Sequence, residues 1–565
     1  MACRLTLENH FRGYPTIVDD FSDVPMQLRS GRGLVYISLY NGVTLRGCRS
    51  SQSGSVLQAA IEATEKTIVD RRHGSRLKRS ELDEVWIDIN ILLPGTDVSE
   101  RNLRSLEQKI ELGVHAVGIR KEGEKGRSSG ANFKAAVPIN KGYTLEILLR
   151  RLGRKAGLGR EAWRDQTVRI IRYESLHFRE QFTHRFRESG SQELYRGTPV
   201  VRQRDVTRQN LERAVHLAGN FLANHVTQRG RLTYEYDPQQ SERRFSNRAV
   251  AVLRRLAATW ILAEIGKFLG SPRMQRAARR SLAYLAERFF QTDSASGTGF
   301  LVVQDKAGIG TAGFMLSALS AVDDESFLPG VREQLARYIL HLENREGGFF
   351  YPMSLPDRNF KFDSKQLYYP GEAMTGLMSL YSITEDKLLL EPLFRVLPYY
   401  RNLFRQHDGR INMAAWMAKP YAALYKATGD KEVGQFVLEV CDVVVERQLG
   451  LEQSCFDRIG GFSNRSNYCA AGVYLEAVAE GFPVAQSLND QRRMHDYEVT
   501  LLLGMRFLLQ GQYGSADVLQ RPDARFLAGG FRTSPFQPVV RVDNVQHAAC
   551  AILRTLQCLD LRYVL

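Results

Sequence analysis

Residues Glu346–Ile383 read EGGFFYPMSLPDRNFKFDSKQLYYPGEAMTGLMSLYSI. A glycine-bearing turn opens the stretch, an aromatic and charged loop follows, and a helix of small and apolar residues closes it. The same grammar recurs along the chain. Gly230, Gly299, Gly348, Gly409, Gly461 and Gly530 mark six such turns. The helices that follow them read as Asn247–Gly266, Ile309–Val322, Gly371–Ile383, Met417–Asp430, Cys469–Gly481 and Asn544–Leu556. Before each turn lies another helix, with one charged face: Leu211–Val226, Met274–Phe290, Val331–Leu342, Leu390–Phe404, Phe436–Leu449 and Tyr497–Leu509. A helix apolar on all sides must be buried, and one with a charged stripe belongs at a surface. Neither kind can bury itself alone. Stacked repeats can, and six hairpins are enough to close into a ring. The pattern predicts a closed (α/α)6 toroid over residues 196–565, with an open α-solenoid as the alternative.

Residues 1–195 follow another grammar. Gly33–Val43 alternates and is β-rich, 55–69 has helical apolar spacing, and Val85–Leu93 reads as a buried strand ended by Pro94. Leu145–Ala156 reads as a helix stopped by Gly157. Val168–Tyr173 reads as the last strand, and residues 1–30 as lacking an opening helix. The expected fold class is therefore multidomain: an α+β domain over 1–195, then an all-α toroid.

Composition narrows the class. The chain has 565 residues, 44% apolar and 25% charged, as soluble globular proteins do. No apolar run approaches the ~18 residues that a membrane span needs. The net charge of +15 is uneven. Residues 1–300 hold 50 Lys and Arg against 32 Asp and Glu, and residues 301–565 hold 27 against 30. An anionic partner fits the first part. The basic residues alternate with acids and show no helix-turn-helix, RRM or KH pattern, which argues against nucleic acid. Seven cysteines without a CxxC pair suit a reducing compartment. The opening MACRLTLENHFRGYP lacks an apolar signal region. A cytoplasmic protein without cofactor or resident metal is expected.

In a toroid the loops that lead into the inner helices share one end, so their side chains converge. Those loops carry Tyr234, Tyr236, Asp305, Tyr351, Asp363, Tyr368, Tyr369, Glu372, Arg410, Asn412, Trp416, Asn464, Asn467, Tyr468, Arg532, Arg541, Asp543 and His547. Aromatic faces can cover a pyranose, and amides and guanidinium groups can bind hydroxyls or a carboxylate. Tyr351, Tyr368, Tyr369 and Glu372 are the acid–base candidates. Arg410, Trp416, Asn467, Tyr468, Arg532, Arg541, Asp543 and His547 are the substrate-binding ones. Glu372 falls in the first turn of its helix, where the helix dipole should lower a carboxyl pKa. In the first domain, Arg46-Gly47-Cys48 offers a thiol flanked by Arg46 and Arg49, which would favour a reactive thiolate.

Two resemblances follow from these residues. TLRGCRSSQSGSVLQAAIEA (Thr44–Ala63) resembles the LRGCIG signature of the AMMECR1 family and its following helix. ELDEVWIDINILLP, LGVHAVGIRKEGEKG, VPINKGYTLEILLRRLGRKAGL and IIRYESLHFRE continue the likeness in order, over roughly residues 30–182. The resemblance implies a link with Memo-type and radical-SAM proteins as partners. The GGFFYP…YYPGEA pattern resembles the (α/α) domain of glucuronyl C5-epimerases and, more loosely, other six-hairpin carbohydrate enzymes. That likeness implies an epimerase- or isomerase-like enzyme, or a lyase or hydrolase, acting on a sugar or anionic glycan. Lanthionine cyclases share the toroid and hold zinc, but the Cys-His dipeptide of that family is absent around Cys469, His547 and Cys550. The alternative reading is a non-catalytic pair of modules serving a separate, radical-SAM enzyme.

Overall fold

The structure is a computed structural model that describes residues 1–21, 25–123, 128–183, 186–354, 364–407, 410–463, 467–518 and 521–561. The chain forms two compact units. The first is Met1–Val200; the second holds Val201–Val518 and the chain from Asp523.

The first unit is α+β. Its larger sheet has the order β10-β9-β8-β3-β1-β2, built from β1 (Leu34–Asn41), β2 (Thr44–Ser51), β3 (Val85–Leu92), β8 (Ser175–Thr183), β9 (Phe186–Tyr195) and β10 (Thr198–Pro199). A second sheet, β4-β7-β5-β6, uses β4 (Thr96–Val98), β5 (Ala116–Glu122), β6 (Ser128–Phe133) and β7 (Val168–Tyr173). All the pairings are antiparallel. In β1, Val35, Ile37 and Leu39 point to one face and are buried in one core with Val56, Ala59, Ala60 and Ala63 of the helix Val56–Ile68. The alternate residues Tyr36, Ser38 and Tyr40 therefore face the other way. Leu145, Leu148, Leu149 and Leu152 of the helix Leu145–Lys155 share a core with Val117, Ile119, Val168 and Ile170 of the second sheet.

Two expectations for this unit change. Val168–Tyr173 is not the last strand, because β8 and β9 continue the larger sheet. An opening helix is present, Ala2–Arg12. It buries only Cys3, Thr6 and Leu7 and has no side-chain N-cap, so its sequence signal is weak. Its stop is clearer: Gly13 takes φ 80°, the left-handed conformation that ends many helices.

Numbering the helices in chain order, these three are α1 (Ala2–Arg12), α2 (Val56–Ile68) and α3 (Leu145–Lys155). Among the described residues the second unit contains twelve long helices. The outer ones are α4 (Arg208–His225), α6 (Pro272–Phe289), α8 (Val331–His341), α10 (Glu391–Gln406), α12 (Lys431–Val445) and α14 (Gln491–Gly511). The inner ones are α5 (Ala249–Phe268), α7 (Ile309–Val322), α9 (Tyr369–Thr384), α11 (Ala414–Thr428), α13 (Tyr468–Ser487) and α15 (Val542–Cys558). Each inner helix packs on the next, and α15 packs back on α5, so the ring is closed. Burial separates the two sets. In α7, thirteen of fourteen residues are buried. In α6, Met274, Ala277, Ala278, Leu282 and Leu285 face inward, while the arginines between them keep the outer face charged. Caps fix the starts: Thr207, Ser271, Asp430, Asn467 and Asp490 each accept from a backbone N–H of the first turn. Among the described residues, no helix is long and apolar enough to cross a membrane.

Candidate functional site

Each inner helix follows an outer one in the chain and packs beside the next inner helix, so the first turns of the inner helices share one end of the ring. Glu372, the fourth residue of α9, is only 3% exposed. Its carboxyl lies against Gly310 of α7, at a spot that any Cβ on that residue would occupy. Glycine there is what leaves room for the carboxyl. Oε2 is buried with no hydrogen-bond partner among the described residues. Burial without a donor pushes this carboxyl up to about 8. The expected lowering by the helix dipole is thus corrected. A dipole effect is worth up to ~2 kcal/mol at best, and desolvation of an unpaired charge costs more. Glu372 is a protonated acid at neutral pH. Tyr368, just before α9, is half-buried, and its phenol is raised by burial and then by the Glu372 charge.

Deeper in the ring lies a charged cluster on three inner helices. Lys419 (α11) donates to Glu476 (α13), and both are buried. Glu476 Oε1 is 2.8 Å from His547 Nδ1 (α15). A carboxylate can only accept, so Nδ1 is the nitrogen that carries the proton in this pair. Lys419 Nζ is also 3.6 Å from Cys550 Sγ, and lies 5.0 and 5.4 Å from the ring centres of Trp260 and Trp416. Burial raises the Glu476 carboxyl, but Lys419 and His547 outweigh it and hold it below the ordinary range. Neither Lys419 nor Glu476 stands out in the sequence. The signal available was a charge set in the apolar first half of each helix, Lys419 in α11 and Glu476 in α13.

Nearer the mouth, Asp543 accepts from Arg541 at 2.8 and 3.0 Å and pairs with Arg254 at 3.1 Å. Arg254 also donates to the Tyr234 hydroxyl at 2.6 Å, and Cys469 Sγ lies 3.6 Å from Asp543. Two guanidinium groups on one carboxylate leave this edge positive.

The structure sorts the other candidates. Trp416 is 4% exposed. Its main chain backs Gly371, and its ring meets Phe314 at 5.6 Å and His547 at 5.9 Å. It forms floor rather than a sugar platform, because its faces are already covered. Tyr468 is buried inside its hairpin, stacked on Phe507 of α14 at 4.6 Å, so it is core. Asn467 is the α13 N-cap, accepting from Ala470 N–H at 3.1 Å. Tyr369 is half-buried against Gly308 and Gly310. Tyr351 accepts from Asn344 at 3.0 Å. Arg532 stacks on Tyr513 at 4.1 Å. Tyr236 is buried and donates to Asp523, and Asp305 is exposed at a hairpin tip with φ 59°. Asn412 accepts from Tyr474 at 3.2 Å. Asp363, Asn464 and the Arg410 side chain lie outside what the structure describes.

The first unit has a cleft of its own, of about 720 Å³, lined by the sheet face that carries Tyr36, Ser38 and Tyr40. Cys48, Ser38 and Asp88 stand in one row across β2, β1 and β3. Gly47 faces α2 so closely that a Cβ would lie 2.8 Å from the Thr67 carbonyl oxygen; alternation then turns Cys48 to the cleft. Ser38 Oγ donates to Cys48 Sγ at 3.4 Å. Lys134 Nζ donates to Ser38 Oγ at 2.8 Å and reaches Asp88 at 3.4 Å, and His177 Nε2 is 2.6 Å from Asp88. The cations flanking Cys48 in sequence are otherwise engaged: Arg46 with Glu81, and Arg49 with Asp70. The cation that serves the thiol is Lys134, which arrives from a distant part of the chain.

Residues 1–178 match the family model AMMECR1, so the likeness reaches back to the first residue. A protein of Thermococcus onnurineus is 30% identical over 142 residues, which are 25% of this chain and 66% of that protein. The chain thus spans just under two thirds of that relative. Among solved structures, a GH76 α-mannanase of Bacteroides thetaiotaomicron is 12% identical, with a TM-score of 0.43, covering 61% of this chain and 95% of its own. A D-mannose isomerase is 11% identical, with a TM-score of 0.46, covering 62% and 98%.

Proposed function

We propose that the toroid is an acid–base enzyme that isomerises or epimerises a sugar or acidic glycan. The observation that carries the reading is Glu372, a carboxyl kept protonated at neutral pH in the first turn of an inner helix. General acids work best when their pKa lies near the operating pH. The base in this reading is His547, whose Nδ1–H is held by Glu476, so that Nε2 is the nitrogen assigned to the substrate. Trp416 links the two, with its main chain on Gly371 and its ring on His547. Pairs of titratable groups whose surroundings separate their protonation states make acid and base assignments.

The chemistry balances without further groups. His547 Nε2 takes the proton from the carbon next to a substrate carbonyl, and Glu372 gives its proton to the carbonyl oxygen, forming an enediol. His547 then returns its proton to the neighbouring carbon while the enediol hydroxyl on the original carbon gives its proton to the Glu372 carboxylate, which yields the isomer. Return of the carbon proton to the opposite face of the original carbon, with the first hydroxyl proton going back to Glu372, yields the epimer. The positive edge at Arg541 and Arg254 suits a uronate carboxylate. A hydrolase needs an ionised carboxylate beside a protonated one. Asp543 and Glu476 are each committed to cations, which favours proton transfer over hydrolysis. A non-catalytic cleft would call for aromatics and amides alone, and this one holds ionisable groups.

The test is hydrogen exchange. The protein is incubated with a panel of aldoses, ketoses and uronates in D2O, and deuterium on carbon is read by NMR and mass spectrometry. At least one sugar should exchange, and Glu372→Gln and His547→Asn should each slow exchange at least a hundredfold. Binding of a panel sugar without any exchange overturns the proposal in favour of a binding module.

A further inference from the structure

The cleft of the first unit plays no part in the sugar chemistry, yet it is built like a reaction site. Its lining includes six Lys or Arg side chains, Arg49, Lys66, Arg72, Lys134, Lys141 and Lys155, against one acid, Asp88. Part of that charge is cancelled nearby. Asp70 pairs with Arg49 and Arg72, Glu62 with Lys66, and Asp88 with Lys134. One carboxylate under two arginines, together with Lys141 and Lys155, still leaves the cleft cationic. Its volume is in the range of small-molecule sites.

The thiol within it is held by an oriented chain of donors. Lys134 Nζ–H points to Ser38 Oγ, and Ser38 O–H points to Cys48 Sγ. Both bonds run toward the sulfur, as they should if the sulfur is to carry negative charge. Asp88 and His177 anchor the far end and keep Lys134 in place. Burial alone would lower the Lys134 ammonium, but Asp88, with Cys48 and Tyr40, more than offsets it, so the cation persists at neutral pH. Ser38 is fully buried, whereas Cys48 is partly exposed and lines the cleft. A structural thiol gains nothing from such a chain.

We propose that this cleft is a second reactive site, in which Cys48 is the nucleophile toward a small anionic electrophile. The ligand class is a molecule with a carboxylate or phosphate, held by the cleft cations, and an electrophilic carbon placed at the sulfur. Cys48 enters as the thiolate, its proton having passed to solvent. The sulfur electron pair forms the S–C bond while the carbon's bond to the leaving group breaks, and that group departs with the bonding pair. Lys134 is a positioning residue that acts through Ser38. This site is independent of Glu372, so its failure would leave the sugar reading untouched.

Paired alkylation of the full-length protein tests it, with iodoacetate as the anionic probe and iodoacetamide as its neutral match, read by peptide mass mapping. Cys48 should react with iodoacetate at least tenfold faster than the half-buried Cys558, and faster than with iodoacetamide. Inorganic phosphate should slow the iodoacetate reaction, and Cys48→Ser should remove the label. Lys134→Met should reverse the reagent preference, and Lys134→Arg should restore it. If wild-type Cys48 reacts no faster than Cys558, or prefers iodoacetamide, the proposal fails. That comparison needs no variant, so a misfolded substitution cannot obscure it.

Discussion

Asp88 in the first unit and Glu372 in the second are buried to nearly the same degree, 8% and 3% exposed. Their protonation goes opposite ways. His177 and Lys134 offset the burial of Asp88 and hold it down at about 2, while Glu372, with burial alone acting on it, rises to about 8. Depth therefore does not set the charge of a carboxyl in this molecule; the partners it meets do. One unit uses a buried carboxylate to fix a cation, and the other keeps a buried acid neutral. The toroid repeats the first solution at Glu476, so both occur within one ring.

The sharpest way to break this contrast is to strip a partner. Lys419→Met leaves Glu476 with only His547, and removing one member of a buried ion pair costs about 3–5 kcal/mol. The loss should appear as an early urea transition. Lys419→Met combined with Glu476→Gln should recover much of it, since no buried charge is then left over.

Glu372→Gln should act with the opposite sign. The native carboxyl holds its proton up to about pH 8, while the unfolded chain loses it near 4.5. Stability from this group is complete below the unfolded value and falls as pH rises toward 8. The glutamine escapes that loss, so the variant should gain on the order of 3 kcal/mol over wild type at pH 8.5 and little at pH 5. Paired denaturation curves at the two pH values check this. A pH-independent difference would mean that Glu372 finds a partner in solution. Sugar exchange by the wild type should fall above about pH 8 for the same reason.

The ring was legible because burial leaves a periodic trace. An inner helix such as Ile309–Val322 shows small and apolar residues on every side, and the glycine turns count the repeats. The place of Glu372 was legible too, through Pro370-Gly371 at the helix start. The sign of its shift was not, because it depends on Gly310 and on the absence of a donor among the described residues, neither visible locally. Tyr468 misled for a related reason. Sequence places it at a loop-to-helix junction but does not say whether its ring turns to the axis or to Phe507. In the first unit the Cys48 row was hidden by distance. Ser38, Asp88 and Lys134 meet the thiol only through strand register, so the nearer arginines drew the inference instead.

Asp88→Asn probes the other half of the contrast. Its native value is depressed, so its contribution is present above the unfolded value near 3.8 and lost as pH falls through about 2. At pH 7 the variant should lose about 2 kcal/mol, and the gap should narrow as pH drops below 4. Thermal unfolding across that range measures it. The substitution also leaves Lys134 buried without its counter-charge, so Cys48 alkylation by iodoacetate should slow at the same time.

The smallest expected effect concerns Asn467, which sequence placed among the substrate-binding residues and the structure makes a helix cap. The two roles separate cleanly. A cap satisfies one backbone N–H at the start of α13, and its loss costs about 1 kcal/mol. Asn467→Ala should therefore shift the unfolding transition slightly, while Asn467→Ser or Asn467→Asp should restore it. Sugar affinity, read by calorimetry, should stay unchanged in all three. If affinity drops in every variant while stability holds, Asn467 faces the ligand, and the mouth of the ring is more polar than its buried floor implies.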